Sequence, residues 1–398
     1  MKFLLMITFH NQLLSILLIF ISLSCRHTQP EAKLLTVGAA RTGQYLPLIM
    51  NKKVALVTNH SALVGDIHLV DTLLTLGIPI TKVMAPEHGF RGDKSDGATI
   101  ADGRDAKTGI PILSIYGKTK KPTQEMLQDV EVVLFDIQDV GVRFFTFIST
   151  MHYVMEACAE NNIPFIVLDR PNPNGMYIDG PVLDPDFQSF VGMHPIPLVH
   201  GLTMGELAKM INGEGWLTNS IKADLTVIQM NQYDHATIYP LPVKPSPNLP
   251  NDLAVGLYPS LALFEGTAIS IGRGTYEPFL QFGHPSFEGT FNYSFTPVSI
   301  EGMSKYPPLE GETCYGKSLM SLKKAPSFTL KYVLEAYEIF ENKENFFKPY
   351  FNKLLGQSNT MDQIKAGLSE KEIRNSWQDQ LDSYKEMRKR YLLYTDVE

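Results

Sequence analysis

The stretch from residue 130 to residue 143, VEVVLFDIQDVGVR, decides the fold class of this chain. Its first half, Val130–Phe135, is an apolar, β-branched run with the length of a buried strand. Its second half holds two aspartates, a glutamine and an arginine, so a polar cluster follows the strand directly. Three other apolar runs are also followed at once by polar clusters: Val54–Val57, Ile80–Met84 and Phe165–Leu168.

Helical patterns lie between these strands. Asp66 is expected to cap a first helix that Gly77 ends, and Thr123 is expected to begin a short second one. Apolar residues at helical spacing from Phe147 to Cys158 indicate a third, in which Cys158 is a buried thiol. Alternation of strands and helices predicts an α/β fold, with a parallel sheet covered by helices on both faces.

The polar clusters are expected to meet at one edge of this sheet. Parallel strands end at the same edge, and ligands of open α/β sheets bind there. The residues predicted to line that crevice are Asn59, Glu87, Asp136, Asp139, Arg143, Asp169 and Arg170. The alternative for each cluster is loop chemistry, in which Asp and Asn cap helices while Gly and Pro form turns.

Composition and missing motifs exclude several classes of function. The 35 Lys and Arg against 42 Asp and Glu give a net charge of −7, which disfavours nucleic-acid binding. Three separated cysteines exclude a disulfide scaffold and a four-cysteine zinc site. Neither a glycine-rich phosphate loop nor a Gly-x-Ser-x-Gly elbow is present, so no nucleotide cofactor or serine nucleophile is predicted. The carboxylates, amides, histidines and arginines of the polar clusters favour binding of a polyhydroxylated ligand, whether neutral or anionic. The carboxylates also suit acid–base catalysis.

The N-terminal segment predicts export. Residues 1–25 combine a basic start, an apolar core and a small residue before Cys25, as in a signal peptide. The Ser24-Cys25 junction resembles a bacterial lipoprotein signal, in which the cysteine is the lipid-anchored first residue. A plain secretory peptide is the alternative, because Ser22 replaces the usual aliphatic residue. Residues 26–34 are predicted to be a tether. The exported protein is predicted to be periplasmic or anchored to a membrane.

The second half of the chain is predicted to form a smaller domain. Prolines are frequent from Tyr239 to Pro259 and oppose a helix or central strand there, so the domain boundary is placed between residues 245 and 246. Beyond it, Glu265 and Arg273 flank a strand-like segment and either reach the crevice or pair with each other. Earlier, Thr203 and Glu206 form a capping box, which makes Glu206 a helix cap.

Several long motifs, in order, carry a family resemblance. Residues 85–92 (APEHGFRG), 135–146 (FDIQDVGVRFFT) and 168–173 (LDRPNP) resemble the NamZ-type exo-β-N-acetylmuramidases, a YbbC-like family. Shorter matches follow at residues 248–250, 264–267 and 272–275. The resemblance implies a Rossmann-like catalytic domain at residues 35–245 and an auxiliary α+β domain at residues 246–398. It also implies release of N-acetylmuramic acid from the non-reducing end of peptidoglycan fragments, with no cofactor or metal.

The resemblance and the residues together give candidate roles. Glu87, which Phe90 is expected to shield from water, is the candidate general acid, and the second carboxylate is Asp139, Asp136 or Glu265. A guanidinium is the expected partner of the lactyl carboxylate of N-acetylmuramic acid. The arginine candidates are Arg91, Arg143, Arg170 and Arg273; candidates for hydrogen bonds to the sugar are Asn59, His60, His88, Gln138 and Asn172.

Two other classes remain open at the level of sequence. A metal-dependent hydrolase would use Glu87, His88, Asp136 and Asp139 as ligands. A non-catalytic lipoprotein that binds wall fragments would use the same crevice without turnover. The predicted partners are muramyl saccharides, with membrane contact only through a lipid on Cys25.

Overall fold

The computed structural model describes residues 35–91 and 102–397. The predicted signal peptide, the tether and Cys25 lie outside the described residues. In the described ranges, none of the helices is both long and apolar enough to cross a membrane.

The first part of the chain alternates strands and helices. Its elements are α1 (Thr42–Ile49), β1 (Val54–Thr58), β2 (Leu63–Val64), β3 (Ile67–His68), α2 (Leu69–Thr75), β4 (Ile80–Ala85), β5 (Gly103–Arg104), β6 (Pro111–Ser114), β7 (Val132–Asp136), α3 (Phe147–Glu160), β8 (Phe165–Leu168), β9 (Asp179–Val182), β10 (Pro197–Val199), α4 (Met204–Glu214) and β11 (Leu225–Ile228). Seven of these strands form a sheet in the order β11-β8-β7-β1-β4-β6-β5. All neighbours in it are parallel except β5, which pairs antiparallel with β6 at the edge.

Both faces of this sheet are buried, as the apolar strands predict. In β1, Val54 and Leu56 face a core that includes side chains of α1 and α2. Ala55 and Val57 face the opposite core, which includes side chains of α3 and α4. The alternation follows from the period of two in a strand, and it confirms the predicted α/β class.

The second part is smaller and holds an antiparallel sheet. Its elements are α5 (Asp252–Leu261), β12 (Gln281–His284), β13 (Tyr293–Phe295), β14 (Cys314–Ser318), α6 (Lys331–Ile339), α7 (Tyr350–Leu355), α8 (Asn359–Lys365), α9 (Glu370–Asn375) and α10 (Gln378–Arg388). The strands are ordered β12-β14-β13. The core that contains α3 and α4 continues through α5, α6 and α7, so Thr36–Glu398 is one compact unit. The boundary between residues 245 and 246 stays a prediction.

Four local expectations change. His68, rather than Asp66, caps α2, because its side chain accepts from the backbone N–H of Val70. Residues 124–129 form turns instead of a helix. The predicted strand at Val130 begins at Val132, and Pro259 lies inside α5. A proline four or more residues into a helix removes one hydrogen bond, and here tertiary packing outweighs that loss.

The two described cysteines are not paired. Cys158 and Cys314 are both buried and free, so the expectation of a buried thiol at Cys158 is confirmed.

Candidate active site

The sheet order brings the polar clusters to one edge. Strand β1 lies between β4 and β7, and β8 follows β7, so the segments after these four strands leave the sheet side by side. Asn59, Glu87, Gln138 and Asp169 therefore lie in adjacent loops at the carboxyl edge.

A cavity of about 200 Å³ opens beside these loops. Its walls come from the loop after β4, the start of α3, and several segments of the second half of the chain. The lining residues are Glu87, His88, Tyr116, Phe144, Phe145, Thr146, Phe147, Phe190, Val191, Ser246, Asn248, Leu249, Tyr258, Glu265, Arg273, Phe279 and Tyr350. Both halves of the chain are needed to form it.

Glu87 is held by two hydroxyl groups inside this cavity. Tyr116 donates to its Oε1 at 2.6 Å, and Thr146 donates to its Oε2 at 2.8 Å. The next residues, His88 and Gly89, both adopt positive φ, which turns the chain sharply after β4. Because a hydroxyl both donates and accepts hydrogen bonds, the same two partners suit the ionised and the protonated carboxyl. This arrangement fits a group that gives up a proton and regains it.

Phe90 does not form the apolar surroundings of Glu87. It packs edge-on against His68 in the core beneath α1 and α2. The aromatic lining near Glu87 comes instead from residues such as Phe144, Phe147 and Tyr258.

Glu265 and Arg273 face the same cavity as an ion pair. Nε and Nη2 of Arg273 each lie 2.7 Å from Oε1 of Glu265. The guanidinium also lies over the ring of Phe279, 5.1 Å from its centre. The two alternatives predicted for this pair are therefore both true, since the two residues bind each other and also line the cavity.

The other three arginines lie outside the cavity lining. Arg170 is buried and pairs with Asp136, with Nε at 2.5 Å from Oδ1 and Nη2 at 2.9 Å from Oδ2. Arg91 donates to both carboxylate oxygens of Asp105. Asp136 is thereby committed to an internal ion pair, and neither arginine is brought to the cavity.

Arg143 is fully buried and binds main-chain carbonyls within the protein. Its Nη1 donates to the carbonyls of Pro181 and Ile196, and its Nη2 donates to those of Leu354 and Leu355. Burial lowers the pKa of its guanidinium to about 9. These contacts join β9 and β10 to the end of α7.

Two buried aspartates at the sheet edge differ in their partners. Oδ1 of Asp139 accepts from the N–H of Gly141 at 2.7 Å, while its buried Oδ2 has no partner. Burial raises the pKa of Asp139 to about 7. Asp169 accepts from Thr203, Gly205 and other groups, and burial raises its pKa to about 6. Neither residue lines the cavity.

Several buried polar atoms have no partner, four of them in the loops at the carboxyl edge of the sheet and one on Asn248, which lines the cavity. They are Nδ2 of Asn59, Nδ1 of His60, Oε1 of Gln138, Oδ2 of Asp139 and Oδ1 of Asn248. His60 Nε2 lies 2.7 Å from the carbonyl of Lys244 and donates to it, so in the neutral ring Nδ1 is an acceptor. Burial lowers the pKa of His60, which favours that neutral ring. Unsatisfied buried polar atoms are rare in folded proteins, and a cluster of them indicates a bound polar group.

Asn172 is satisfied internally. Its Nδ2 donates to the carbonyl of Leu202 at 2.9 Å, and its Oδ1 accepts from the N–H of Asn174 at 2.8 Å. A Cβ on Gly141 would lie 2.0 Å from Oδ1 of Asn172, so only glycine fits there. The close contact between Gly141 and Asn172 thus fixes the loop after β7.

Sequence reasoning missed several lining residues. Tyr116 follows β6, a strand whose apolar pattern is too short to stand out. Thr146 and Asn248 lie within the family motifs, which was the available signal. The set proposed as metal ligands does not converge: in the described ranges, no three His, Cys, Asp or Glu side chains are grouped to hold an ion.

Comparisons with known proteins agree with this architecture. The family model for the N-terminal part of exo-β-N-acetylmuramidase NamZ matches residues 54–253, and the model for its C-terminal part matches residues 256–394. The peptidoglycan β-N-acetylmuramidase NamZ of Bacillus subtilis is 40% identical over 371 residues, which cover 88% of this chain and 89% of the relative.

Two solved structures from Bacteroides fragilis share the fold. Both are described as DUF1343 family proteins, and each is matched over 92% of this chain and 100% of its own length. The first has a TM-score of 0.85 at 44% identity, and the second 0.78 at 29% identity.

Proposed function

The chain belongs to the NamZ family of exo-β-N-acetylmuramidases, and we propose that it acts through Glu87 as the general acid. It is a glycoside hydrolase that releases N-acetylmuramic acid from the non-reducing end of peptidoglycan fragments. The observation that supports the role of Glu87 is its place in the cavity, where two hydroxyls hold it and a second carboxylate also forms part of the lining.

Glu87 protonates the glycosidic oxygen as the bond to the sugar C1 breaks. Glycoside hydrolysis passes through an oxocarbenium-like state, and a proton on the leaving oxygen lowers that barrier. Tyr116 and Thr146 fix the carboxyl through both protonation states. When water completes the reaction, Glu87 regains a proton.

Glu265 is the second carboxylate in this proposal. It lines the cavity with Glu87, whereas Asp136 is paired with Arg170 and Asp139 lies outside the lining. Arg273 holds Glu265 in place through their ion pair, and the Glu265 carboxylate acts on the sugar C1 or on the attacking water.

Arg273 also accounts for selectivity toward a muramic sugar. It is the candidate arginine that lines the cavity, and its planar guanidinium suits the lactyl carboxylate. Asn248 lines the cavity with an unpartnered Oδ1, which accepts a hydrogen bond from a hydroxyl or acetamido group of the same ring.

Two chromogenic substrates test these roles. We expect wild type to cleave a nitrophenyl β-N-acetylmuramide much faster than the matching glucosaminide, which lacks the lactyl carboxylate. Glu87→Gln should lower kcat by about 10²- to 10⁴-fold on the disaccharide of N-acetylmuramic acid β-linked to N-acetylglucosamine, because its sugar leaving group needs a proton that an amide cannot supply. Arg273→Lys should raise KM about tenfold, since an ammonium loses the planar fork.

The control is Glu125→Gln, an exposed site in the turns at residues 124–129 that does not line the cavity, with thermal unfolding measured for each variant. A Glu87→Gln enzyme that keeps its activity on this disaccharide would remove the acid assignment. Equal wild-type rates on the two sugars would remove lactyl recognition by Arg273.

Export and a lipid on Cys25 are part of the proposal. Peptidoglycan lies outside the cytoplasmic membrane, and the apolar segment before Cys25 is the sequence basis for transport there.

A further inference from the structure

Two large aromatic side chains are left almost wholly exposed in the second half of the chain. Tyr276 is 76% exposed and Tyr306 is 79% exposed, and Val298 beside them is 50% exposed. Exposed aromatic groups that cluster often mark a binding surface. We refer to Tyr276 and Tyr306 as the rim tyrosines.

The loops that carry the rim tyrosines pack directly on each other. The N–H of Val298 donates to the carbonyl of Gly274 at 2.8 Å. A Cβ on Gly274 would lie 2.6 Å from a side-chain atom of Pro307, the residue after Tyr306. Gly274 also has a φ of +82°, so glycine is required where the two loops meet.

Both loops are also fixed to the wall of the catalytic cavity. Arg273, which lines the cavity, directly precedes Gly274. Asn248, another lining residue, donates from Nδ2 to the carbonyl of Met303 at 3.1 Å. Each rim tyrosine thus lies three residues along the chain from a point of contact with that wall.

The size of the cavity leaves part of the substrate outside it. At about 200 Å³, the cavity is smaller than the 300–1,000 Å³ typical of sites for drug-sized ligands. An exo-acting enzyme places only the terminal sugar at the reacting position, so the remaining saccharide lies beyond the mouth. That saccharide presents the apolar faces of its rings, which stack on exposed aromatic side chains.

We propose that the rim tyrosines bind the saccharide leaving group, beginning with the N-acetylglucosamine next to the bond that is cleaved. The proposal rests on the muramidase function and goes beyond it, because it assigns a subsite for the part of the glycan that is not released as N-acetylmuramic acid. The neighbouring Lys305 lies over the ring of Tyr306, 5.5 Å from its centre, and helps to fix that ring.

The test compares two substrates that differ in their leaving groups. One is the nitrophenyl β-N-acetylmuramide, whose leaving group carries no sugar; the other is the disaccharide of N-acetylmuramic acid β-linked to N-acetylglucosamine. For a Tyr276→Ala/Tyr306→Ala double variant, we expect kcat/KM on the disaccharide to fall about tenfold. On the nitrophenyl substrate the value should stay within about twofold of wild type. Ile238→Ala is the matched control, since Ile238 is also 76% exposed but lies in neither of the two loops that carry the rim tyrosines.

Each outcome has a separate meaning. If the double variant loses activity equally on both substrates, or on neither, the subsite proposal is overturned. A change in sedimentation of the double variant with unchanged kinetics would instead make the patch a contact between copies of this chain. Failure of wild type on both substrates would overturn the muramidase function itself, which is a different result.

Discussion

At the scale of single residues, burial without a partner decides the chemistry of Asp139. Its side chain is fully buried, and its carboxyl accepts hydrogen bonds from the backbone alone, at Gly141 and Val140. Arg170 neutralises Asp136 nearby in sequence, yet no cation pairs with Asp139 among the described residues. Two aspartates only three positions apart therefore have different electrostatic surroundings: Asp136 has a cation beside it, whereas at Asp139 desolvation outweighs the backbone hydrogen bonds that lower its pKa.

Stability should consequently depend on pH through Asp139. Its pKa is about 7 in the folded protein against 3.8 in the unfolded chain, so the folded state holds a proton more tightly. Between these values the unfolded state releases its proton first, so the free energy of unfolding falls as pH rises from about 4 to about 7. Asp139→Asn removes this dependence. As pH rises, the free energy of unfolding of the variant should therefore exceed that of wild type by an increasing amount, up to a few kcal/mol at most.

Urea unfolding of wild type and Asp139→Asn at several pH values measures the difference. Asp169, whose pKa is also raised, titrates in both proteins and cancels in the comparison. Asp186→Asn, at an exposed position, serves as the control. Parallel curves for wild type and Asp139→Asn would contradict the prediction.

At the scale of elements, the segment after α10 ties the end of the chain to the sheet edge. Tyr394 donates to Oδ2 of Asp169 at 2.6 Å and accepts from the N–H of Met230 at 2.9 Å. The N–H of Leu393 donates to Oε1 of Glu206, the capping residue of α4. The expectation that Glu206 is a cap is confirmed, and the residue also anchors this segment. One hydroxyl thus links three distant elements.

Removing that hydroxyl should destabilise the fold without harming the chemistry. Tyr394→Phe leaves the buried Asp169 and the Met230 N–H each short of a partner, which should cost about 1–3 kcal/mol of unfolding free energy. Tyr394 does not line the cavity, so kcat on the chromogenic muramide should be unchanged. Urea denaturation measures the loss. Tyr391→Phe, whose hydroxyl reaches the surface residue Glu214, should cost much less; equal losses would refute the role of Tyr394.

At the scale of the whole molecule, the cavity proposed as the active site depends on both halves of the chain. Glu87 comes from the parallel sheet, whereas Glu265 and Arg273 follow α5 in the second half. The shared apolar core and the four carbonyl contacts of Arg143 hold the halves together. A buried guanidinium without a carboxylate persists here because Nη1 and Nη2 each donate to two main-chain oxygens, although its buried Nε has no partner.

The location of the whole molecule is tested through Cys25. If the segment before it is a lipoprotein signal, the full chain produced in a bacterial host should appear in the membrane fraction. Cys25→Ala should remove the lipid anchor and shift the exported protein to the soluble fraction. Fractionation and mass spectrometry of the N-terminus measure both effects, and a wild-type protein that keeps Met1 in the cytoplasm would contradict export.

The sequence alone determined the sheet and the edge at which function lies. A buried parallel strand can be recognised from a short stretch of sequence, because it is an apolar β-branched run such as Phe165–Leu168. The polar residues that follow it must lie at the carboxyl edge of the sheet. The helix cap at Thr203 can likewise be recognised from a few neighbouring residues. The family motifs supplied the reaction, because a run of residues in order carries more information than any single side chain.

Only the tertiary structure decided which of the candidate side chains meet. Arg143, Arg170 and Arg273 look alike in the sequence, yet one binds carbonyls, one neutralises Asp136, and one lines the cavity with Glu265. Tyr116, a direct partner of Glu87, left no local signal. The reason is physical: periodicity reports whether a position is buried, whereas the partner of a charge is set by distant segments that packing brings within a few ångströms.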